Sequence, residues 1–273
     1  MSTAALPYDP AAEPPRVSPL AVFAALLRRD ARVARRELAM FLLRVTMQPL
    51  LFVVVFGWLL PKIGFMERGY TAALLPGVLG MSLAMAAVQS VSIPMITDFA
   101  VTREIEDRLL APIPIGVVAG EKVAAGVLQA LAAALFVLPA ARLVMGPVPG
   151  LTLAHAGAAL AVLVLGAAAF AALGLWLGTA VAPQHVGTMF SVILVPMIFF
   201  GCAYYPWRGL DPVPAVKYAV LANPLVYVAE GLRGTLTPAV PHMPLWVVLA
   251  ALVALTALFG VLGMRAFERR ALG

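Results

Sequence analysis

Charge is what this sequence has least of. Only 12% of its 273 residues are Asp, Glu, Lys or Arg, against 63% hydrophobic, and the mean hydropathy is +0.98. A soluble domain carries about twice that share of charge, so a soluble fold is excluded. Cysteine is scarcer still. Cys202 stands alone, so no intrachain disulfide, Cys-based zinc site or iron–sulfur centre can be built. The three histidines, His155, His185 and His242, fall in separate connections or span ends, which argues against a metal centre. Short alternating apolar segments, the mark of a transmembrane barrel, are missing. So is a complete phosphate loop. The string Gly116-Val-Val-Ala-Gly120-Glu-Lys122-Val123 lacks one residue of spacing and the Ser/Thr that holds Mg²⁺, and Glu121 would repel phosphate. No catalytic constellation replaces it, and the chain reads as a non-enzyme with no cofactor of its own.

What remains is apolar and long. Runs at about 38–60, 71–96, 123–144, 153–181, 186–204 and 245–264 are each of about the length a transmembrane helix needs, roughly 20 residues. The expected fold is an all-α polytopic membrane protein. It has six transmembrane helices, an N-terminal interfacial helix, a charged cytoplasmic helix and a re-entrant outer segment before the last span. Pro7, Pro10, Pro14 and Pro15 mark residues 1–17 as a flexible tail. Residues 18–37 read as the interfacial helix, with Ser18-Pro19 as its start. Arg28, Arg29, Arg32, Arg35 and Arg36 fall within an arc of about 120°. Leu20, Phe23, Leu26, Leu27, Val33 and Ala34 lie opposite. That is the pattern of a helix on an anionic leaflet, the arginines touching membrane lipid. Asp30 and Glu37 project toward the apolar side, so that face is expected to meet protein as well. The six-helix domain occupies 38–264, and residues 265–273 read as a cytoplasmic tail. With the N-terminus inside, thirteen Lys and Arg lie on the cytoplasmic side and six outside, which favours cytoplasmic N- and C-termini. The membrane surface also accounts for the net +6, so no nucleic-acid partner is expected.

Charge is concentrated in one place. Residues 97–122 hold eight ionisable side chains between two apolar runs: Asp98, Arg103, Glu104, Glu106, Asp107, Arg108, Glu121 and Lys122. Such a density is too costly for hydrocarbon and belongs in water or against another protein. Its centre, about 99–111, reads as a short helix. Arg103–Asp107 and Glu104–Arg108 are opposite-charge pairs at i,i+4, contributing about 0.2–0.5 kcal/mol each. Ile105, Leu109 and Leu110 give an apolar edge, and Pro112 and Pro114 end it. Five acids against three bases suit a basic groove on another protein. Gly116 and Gly120 form a small-xxx-small pair expected to let the third span pack closely.

A second irregular stretch, about 206–243, is apolar yet broken by Pro206, Pro212, Pro214, Pro224, Pro238 and Pro241. Within it Asn223 caps, Pro224 starts and Gly234 ends a helix of about three turns, with Tyr227, Glu230 and Arg233 on one face. That helix is too short to cross and is expected to dip into the outer leaflet and return. Glu230 and Arg233 form either a structural clasp or part of a gate. Gln48, Gln89, Ser90 and Ser92 lie in or near the first two spans, where polar groups bond between helices or line a path. Phe199, Phe200, Tyr204, Tyr205 and Trp207 cluster at the end of the fifth span, as an interface belt or as contacts for an amphiphile.

TREIEDRLLAPIPIGVVAGEKV at 102–123 and FFGCAYYP…NPLVYVAEGLRG at 199–234, in this arrangement of spans, resemble the ABC-2 type permease family. The likeness is to its drug-exporter branch and runs over nearly the whole chain. The resemblance implies a permease subunit paired with a second copy of itself or a homologous permease. ATP and Mg would be held by separate ATP-binding cassette ATPase subunits. It implies that the charged segment is the coupling helix, with Arg103, Glu104, Glu106, Asp107 and Arg108 as docking charges. Here Ile105-Glu106-Asp107 stands where relatives often carry a glycine-threonine-leucine-like stretch. It also implies export of a hydrophobic or amphiphilic, drug-like or lipid-like molecule across the cytoplasmic membrane. A polysaccharide or lipid-linked glycan is the alternative cargo. Outside the family, an ion-coupled secondary transporter would need a buried carboxylate or a broken helix at mid-membrane, and the six spans lack such a carboxylate. A non-transporting membrane scaffold is the third reading.

Overall fold

A computed structural model describes residues 18–67, 69–99 and 114–271, and the described residues form helices and turns without a strand. Helix α1 (Pro19–Arg36) is separated by Glu37 alone from α2 (Leu38–Lys62). Then come α3 (Tyr70–Thr97), α4 (Ile115–Met145) and α5 (Ala156–Ala180). A shorter apolar helix, α6 (Pro183–Phe199), leads into the irregular stretch. That stretch contains α7 (Pro214–Ala219) and α8 (Pro224–Leu236), and α9 (Leu245–Ala271) follows. Among the described helices, α2, α3, α4, α5 and α9 are long and apolar enough to cross a bilayer. The chain is an all-α polytopic membrane protein.

Helix α3 is the hub, and its composition explains why. It is rich in Gly, Ala and Ser, and residues 71–84 are buried except Ala73. With lipid as apolar as leucine, helices in a membrane associate through close backbone approach, which small residues permit. Helix α5 meets α3 through Gly174 and Gly178. A Cβ at Gly174 would lie 2.9 Å from the Val88 carbonyl oxygen, and one at Gly178 would lie 2.8 Å from Ser92 Cα. This is the small-xxx-small pair that packs. The expected pair does not: the nearest described atom to a Cβ at Gly116 is Met264 Cε at 3.7 Å, and Gly120 has no described neighbour within 4 Å. Helices α4 and α8 also pack on α3, and α9 lies along α5. The outer helices keep apolar side chains exposed, among them Leu51 on α2, Leu135 on α4 and Val253 on α9, as lipid contact requires.

Three boundaries differ from those read in the sequence. The fifth apolar run does not continue as helix to 204. It stops at Phe199, and the chain turns back so that Gly201, Cys202 and Ala203 are buried. The turn is accommodated by Gly77, where a Cβ would come within 1.8 Å of the Ala203 carbonyl oxygen. Cys202 takes φ +53°, the only non-glycine described in the left-handed region. At about 1.5 Å per residue α6 is roughly 25 Å long, against roughly 30 Å of hydrocarbon. Second, α8 runs through Gly234 to Leu236, and Gly234 serves instead to let His242 approach, 2.9 Å from a would-be Cβ. Third, residues 265–271 are no loose tail. They extend α9, with Phe267 fully buried, because the Arg270 Nη1 donates to the Thr179 carbonyl (2.7 Å) and caps the end of α5.

Candidate functional site

The coupling-helix residues Arg103, Glu104, Glu106, Asp107 and Arg108 lie outside the described residues, as does the tail at 1–17. The frame that holds the charged segment is described. Lys122, two turns into α4 and 7% exposed, places its Nζ 2.8 Å from Asp30 Oδ2 on α1 and 4.0 Å from Asp98 Oδ2 just past α3. One ammonium thereby joins α1 and the two helices that flank the segment. A charge so buried is tolerated only with such partners. Phe99 packs edge-on against Phe267 (5.6 Å between centroids), under the Arg270 guanidinium at 4.8 Å. The projection of Asp30 toward the apolar side of α1 is thus explained. Val22, Phe23, Leu26 and Leu27 are half-buried in α1, which packs on α4, while Arg28, Arg29, Arg32, Arg35 and Arg36 are all exposed on it.

At the opposite end of the bundle, α8 carries the residues singled out in the irregular stretch. Asn223 Oδ1 accepts from Leu225 N (2.9 Å) and caps the helix, while its Nδ2 donates to the Met197 carbonyl at 2.6 Å. Pro224 occupies the first helical position. Tyr227 donates its hydroxyl to the Leu221 carbonyl (2.8 Å) and so stands apart from the other two residues of its face. Glu230 and Arg233 are 0% exposed and form an ion pair through Glu230 Oε1 and Arg233 Nη1. Their further hydrogen bonds go to main chain. Glu230 accepts from Trp207 N and Met243 N, both at 2.9 Å. Arg233 donates from Nη2 to the carbonyls of Ala73 (3.0 Å) and Cys202 (2.9 Å), and from Nε to Ala73 at 3.3 Å. The pair ties α8 to the start of α3, to the turn after α6 and to both flanks of the irregular stretch.

Between these ends lie two hollows that share Gln89 in their walls. One, about 240 Å³, is lined by Gln48 of α2, Met85 and Gln89 of α3, and Phe190, Ser191, Leu194, Val195 and Ile198 of α6. The other, about 450 Å³, opens at the α1 end among α1, α2, α3 and α4, and Gln89 lines it too. Neither Gln48 nor Gln89 has a side-chain hydrogen bond to a protein group among the described residues. Of the polar residues noted in the first two spans, these two therefore face open space. Ser90 instead donates to the Ala87 carbonyl (3.1 Å), and Ser92 is buried. Both helices that flank the groove carry π-helical stretches, Val53–Leu59 in α2 and Phe190–Leu194 in α6. The first begins four residues after Pro49, which lacks the N–H for one rung of the ladder. Of the aromatic residues expected at the end of the fifth span, Phe199 and Tyr204 cluster with α2, while Trp207 lies under the Lys217 ammonium. Phe52 lies 4.9 Å from Tyr204 and 6.4 Å from Phe199 between centroids, and Phe56 lies 5.7 Å from Tyr204. The string 116–123 lies within α4, beginning at its second residue.

A multi-pass helical bundle with a polar groove between its spans and a charged connection at one end defines a membrane transport component. The chain belongs to the ABC-2 type transporter family, which matches it over residues 21–237. It is accordingly a permease subunit of an ATP-binding cassette transporter, the membrane component and not itself the catalytic part. Members of that family work with an ATP-binding cassette ATPase subunit. No curated protein matches the chain.

Proposed function

We propose that this permease exports a hydrophobic or amphiphilic molecule across the cytoplasmic membrane, with both termini in the cytoplasm. A separate ATPase subunit binds ATP and Mg and supplies the energy. Two permease copies form the working unit. The observation that carries this reading is the groove between α2, α3 and α6, polar at Gln48, Gln89 and Ser191 and otherwise apolar, which shares Gln89 with the hollow at the α1 end. Such a wall suits a molecule with a modest polar part and a large apolar part. Both oxygens of Glu230 accept from main-chain N–H groups, and one also from Arg233, which favours the clasp over the gate for this pair. The ATPase docks on Arg103, Glu104, Glu106, Asp107 and Arg108, a segment that Asp98 and Lys122 hold at its two ends.

Co-purification tests the reading. The detergent-extracted permease, co-expressed with a candidate ATP-binding cassette ATPase, should bring that ATPase down, and vesicles holding both should move an amphiphilic dye only with hydrolysable ATP. Reversing the charges of Glu104 and Arg108 together should weaken recovery about tenfold or more, as loss of two interface charges does. Undiminished recovery by the double reversal would refute the docking assignment. Transport driven by a proton gradient without ATP would refute the coupling.

A further inference from the structure

The geometry points to the hollow at the α1 end as a site for the head of a zwitterionic amphiphile, its anionic group at Arg44 and its cationic group toward Glu37. This rests on the export reading above and names the class of cargo. Six charged side chains line the hollow. Four are already engaged: Asp30 and Lys122 pair at 2.8 Å, Asp98 lies 4.0 Å from Lys122, and Arg29 also has a partner. Arg44 and Glu37 are the two with no ion pair among the described residues, and both are exposed and line the hollow. A guanidinium six residues into an apolar span is costly there unless something answers it.

The order of the two charges carries the proposal. Glu37 stands at the head of α2 and Arg44 two turns further along the same face, about 10 Å deeper into the span. An amphiphile whose anion joins the tail, with a cation beyond it, presents its charges in that same order from depth to surface. A head with the reverse order would set like against like at both positions. An uncharged head would leave Arg44 unanswered, and a purely anionic one would meet the Glu37 carboxylate. Val33, Ala34, Met40, Phe41 and Ile93 form the apolar part of the hollow, and Gln89 continues its wall into the groove, where Met85, Leu194 and Ile198 suit the tail.

Two families of probe separate order from net charge. The full chain in dodecyl maltoside is titrated with dodecylphosphocholine, in which the phosphate adjoins the tail, and with dodecyl sulfobetaine, in which the ammonium does. Bound adducts are counted by native mass spectrometry. The phosphocholine should bind about fivefold more tightly, the worth of one partly exposed ion pair. Arg44→Gln should erase that preference, and Arg44→Lys should retain most of it. Glu37→Gln should weaken the phosphocholine and strengthen dodecyl phosphate. A short-chain diacyl phosphatidylcholine separates the sources: binding of it alone assigns a membrane lipid, and binding of both phosphocholines assigns any amphiphile of that charge order. Equal binding of the two orders, or a preference untouched in a well-folded Arg44→Gln protein, overturns the site. If the order preference holds while no ATPase is recovered, the site stands and the export reading falls. If ATP-driven dye export proceeds without the order preference, the reverse is true.

Discussion

Replacing Arg233 by methionine tests whether the buried pair on α8 holds the irregular stretch to the bundle. The side chains are similar in length, so the change removes charge and donors more than volume. Four contacts go: Nε and Nη2 to the Ala73 carbonyl, Nη2 to the Cys202 carbonyl and Nη1 to Glu230. Left behind is a carboxylate at 0% exposure with no counter-charge, and losing one partner of such a pair costs about 3–5 kcal/mol. The two stranded carbonyls add about 1 kcal/mol each at most, since part of that loss overlaps with the first. For a chain of this size the thermal midpoint should fall by about 6 °C or more. Cys202 provides the assay. It is the sole cysteine and is fully buried, so a maleimide dye that brightens on reaction reports unfolding directly. Adding Glu230→Gln to Arg233→Met should cost less than the two single changes together, with a coupling of about 1–3 kcal/mol. A midpoint within about 2 °C of the parent, or strictly additive changes, would show that the pair is not the fastener described above.

Four further outcomes follow from the same geometry. Gly77→Ala puts a methyl 1.8 Å from the Ala203 carbonyl oxygen, which backbone cannot relieve, so a loss above about 3 kcal/mol and dye reaction at Cys202 without heating are expected. Gly120→Ala is its counterpart and should be neutral or gain up to about 1 kcal/mol from helix propensity. Lys122→Met strands Asp30, so hydrogen exchange should rise in α1 by about tenfold, corresponding to roughly 1.4 kcal/mol, while α5 stays protected. For topology, single cysteines in a Cys202→Ala background at Phe65, which is exposed, and at Glu104 should label from opposite sides of the membrane.

What could be read in advance was local chemistry. The Asn223-Pro224 start of α8 is a cap plus a preset φ, and both act within three residues. The spacing of Glu230 and Arg233 was legible for the same reason. Their main-chain partners were not, because Ala73 is 160 residues from Arg233 and nothing in either neighbourhood names the other. Asp30 on the apolar side of α1 announced a protein contact, and only the fold supplies Lys122, 92 residues away. Gly116/Gly120 and Gly174/Gly178 have identical spacing, yet only the second faces the α3 backbone. Hydropathy likewise ran the fifth span through FFGCAYY, since nothing apolar distinguishes a helix from a buried turn. The turn follows from the fit of Ala203 against Gly77, a tertiary event. Gly234 looked like a terminator because glycine so often is one, but here its missing side chain makes room for His242.

Both buried ion-pair sites fasten a segment that does not span to the helices that do, and together they divide the bundle into parts that must move together and parts that need not. At one end Lys122 binds α4 to α1 and to the end of α3. At the other, Arg233 binds α8 to the start of α3 through Ala73. Helix α3 is therefore held at both ends and packed along its length by α4, α5 and α8. A push on the residues between Asp98 and Pro114 reaches α1, α3 and α4 as one body. Helices α2 and α6 are different. Their ladders are interrupted by π stretches, and Phe52 of α2 meets Phe199 at the end of α6 and Tyr204 in the turn beyond it. If the protein opens a route, the shear falls between α2 and α6. Thiol cross-linkers distinguish the two joints in a Cys202→Ala background. A short linker between cysteines replacing Trp176 and Phe259, whose rings stack 6.3 Å apart between α5 and α9, should leave ATP-driven transport within about twofold, because it spans two packed helices away from the groove. A linker between cysteines replacing Phe52 and Phe199 should stop transport and release it again on cleavage. Transport that survives the second linker would place the moving joint elsewhere in the bundle.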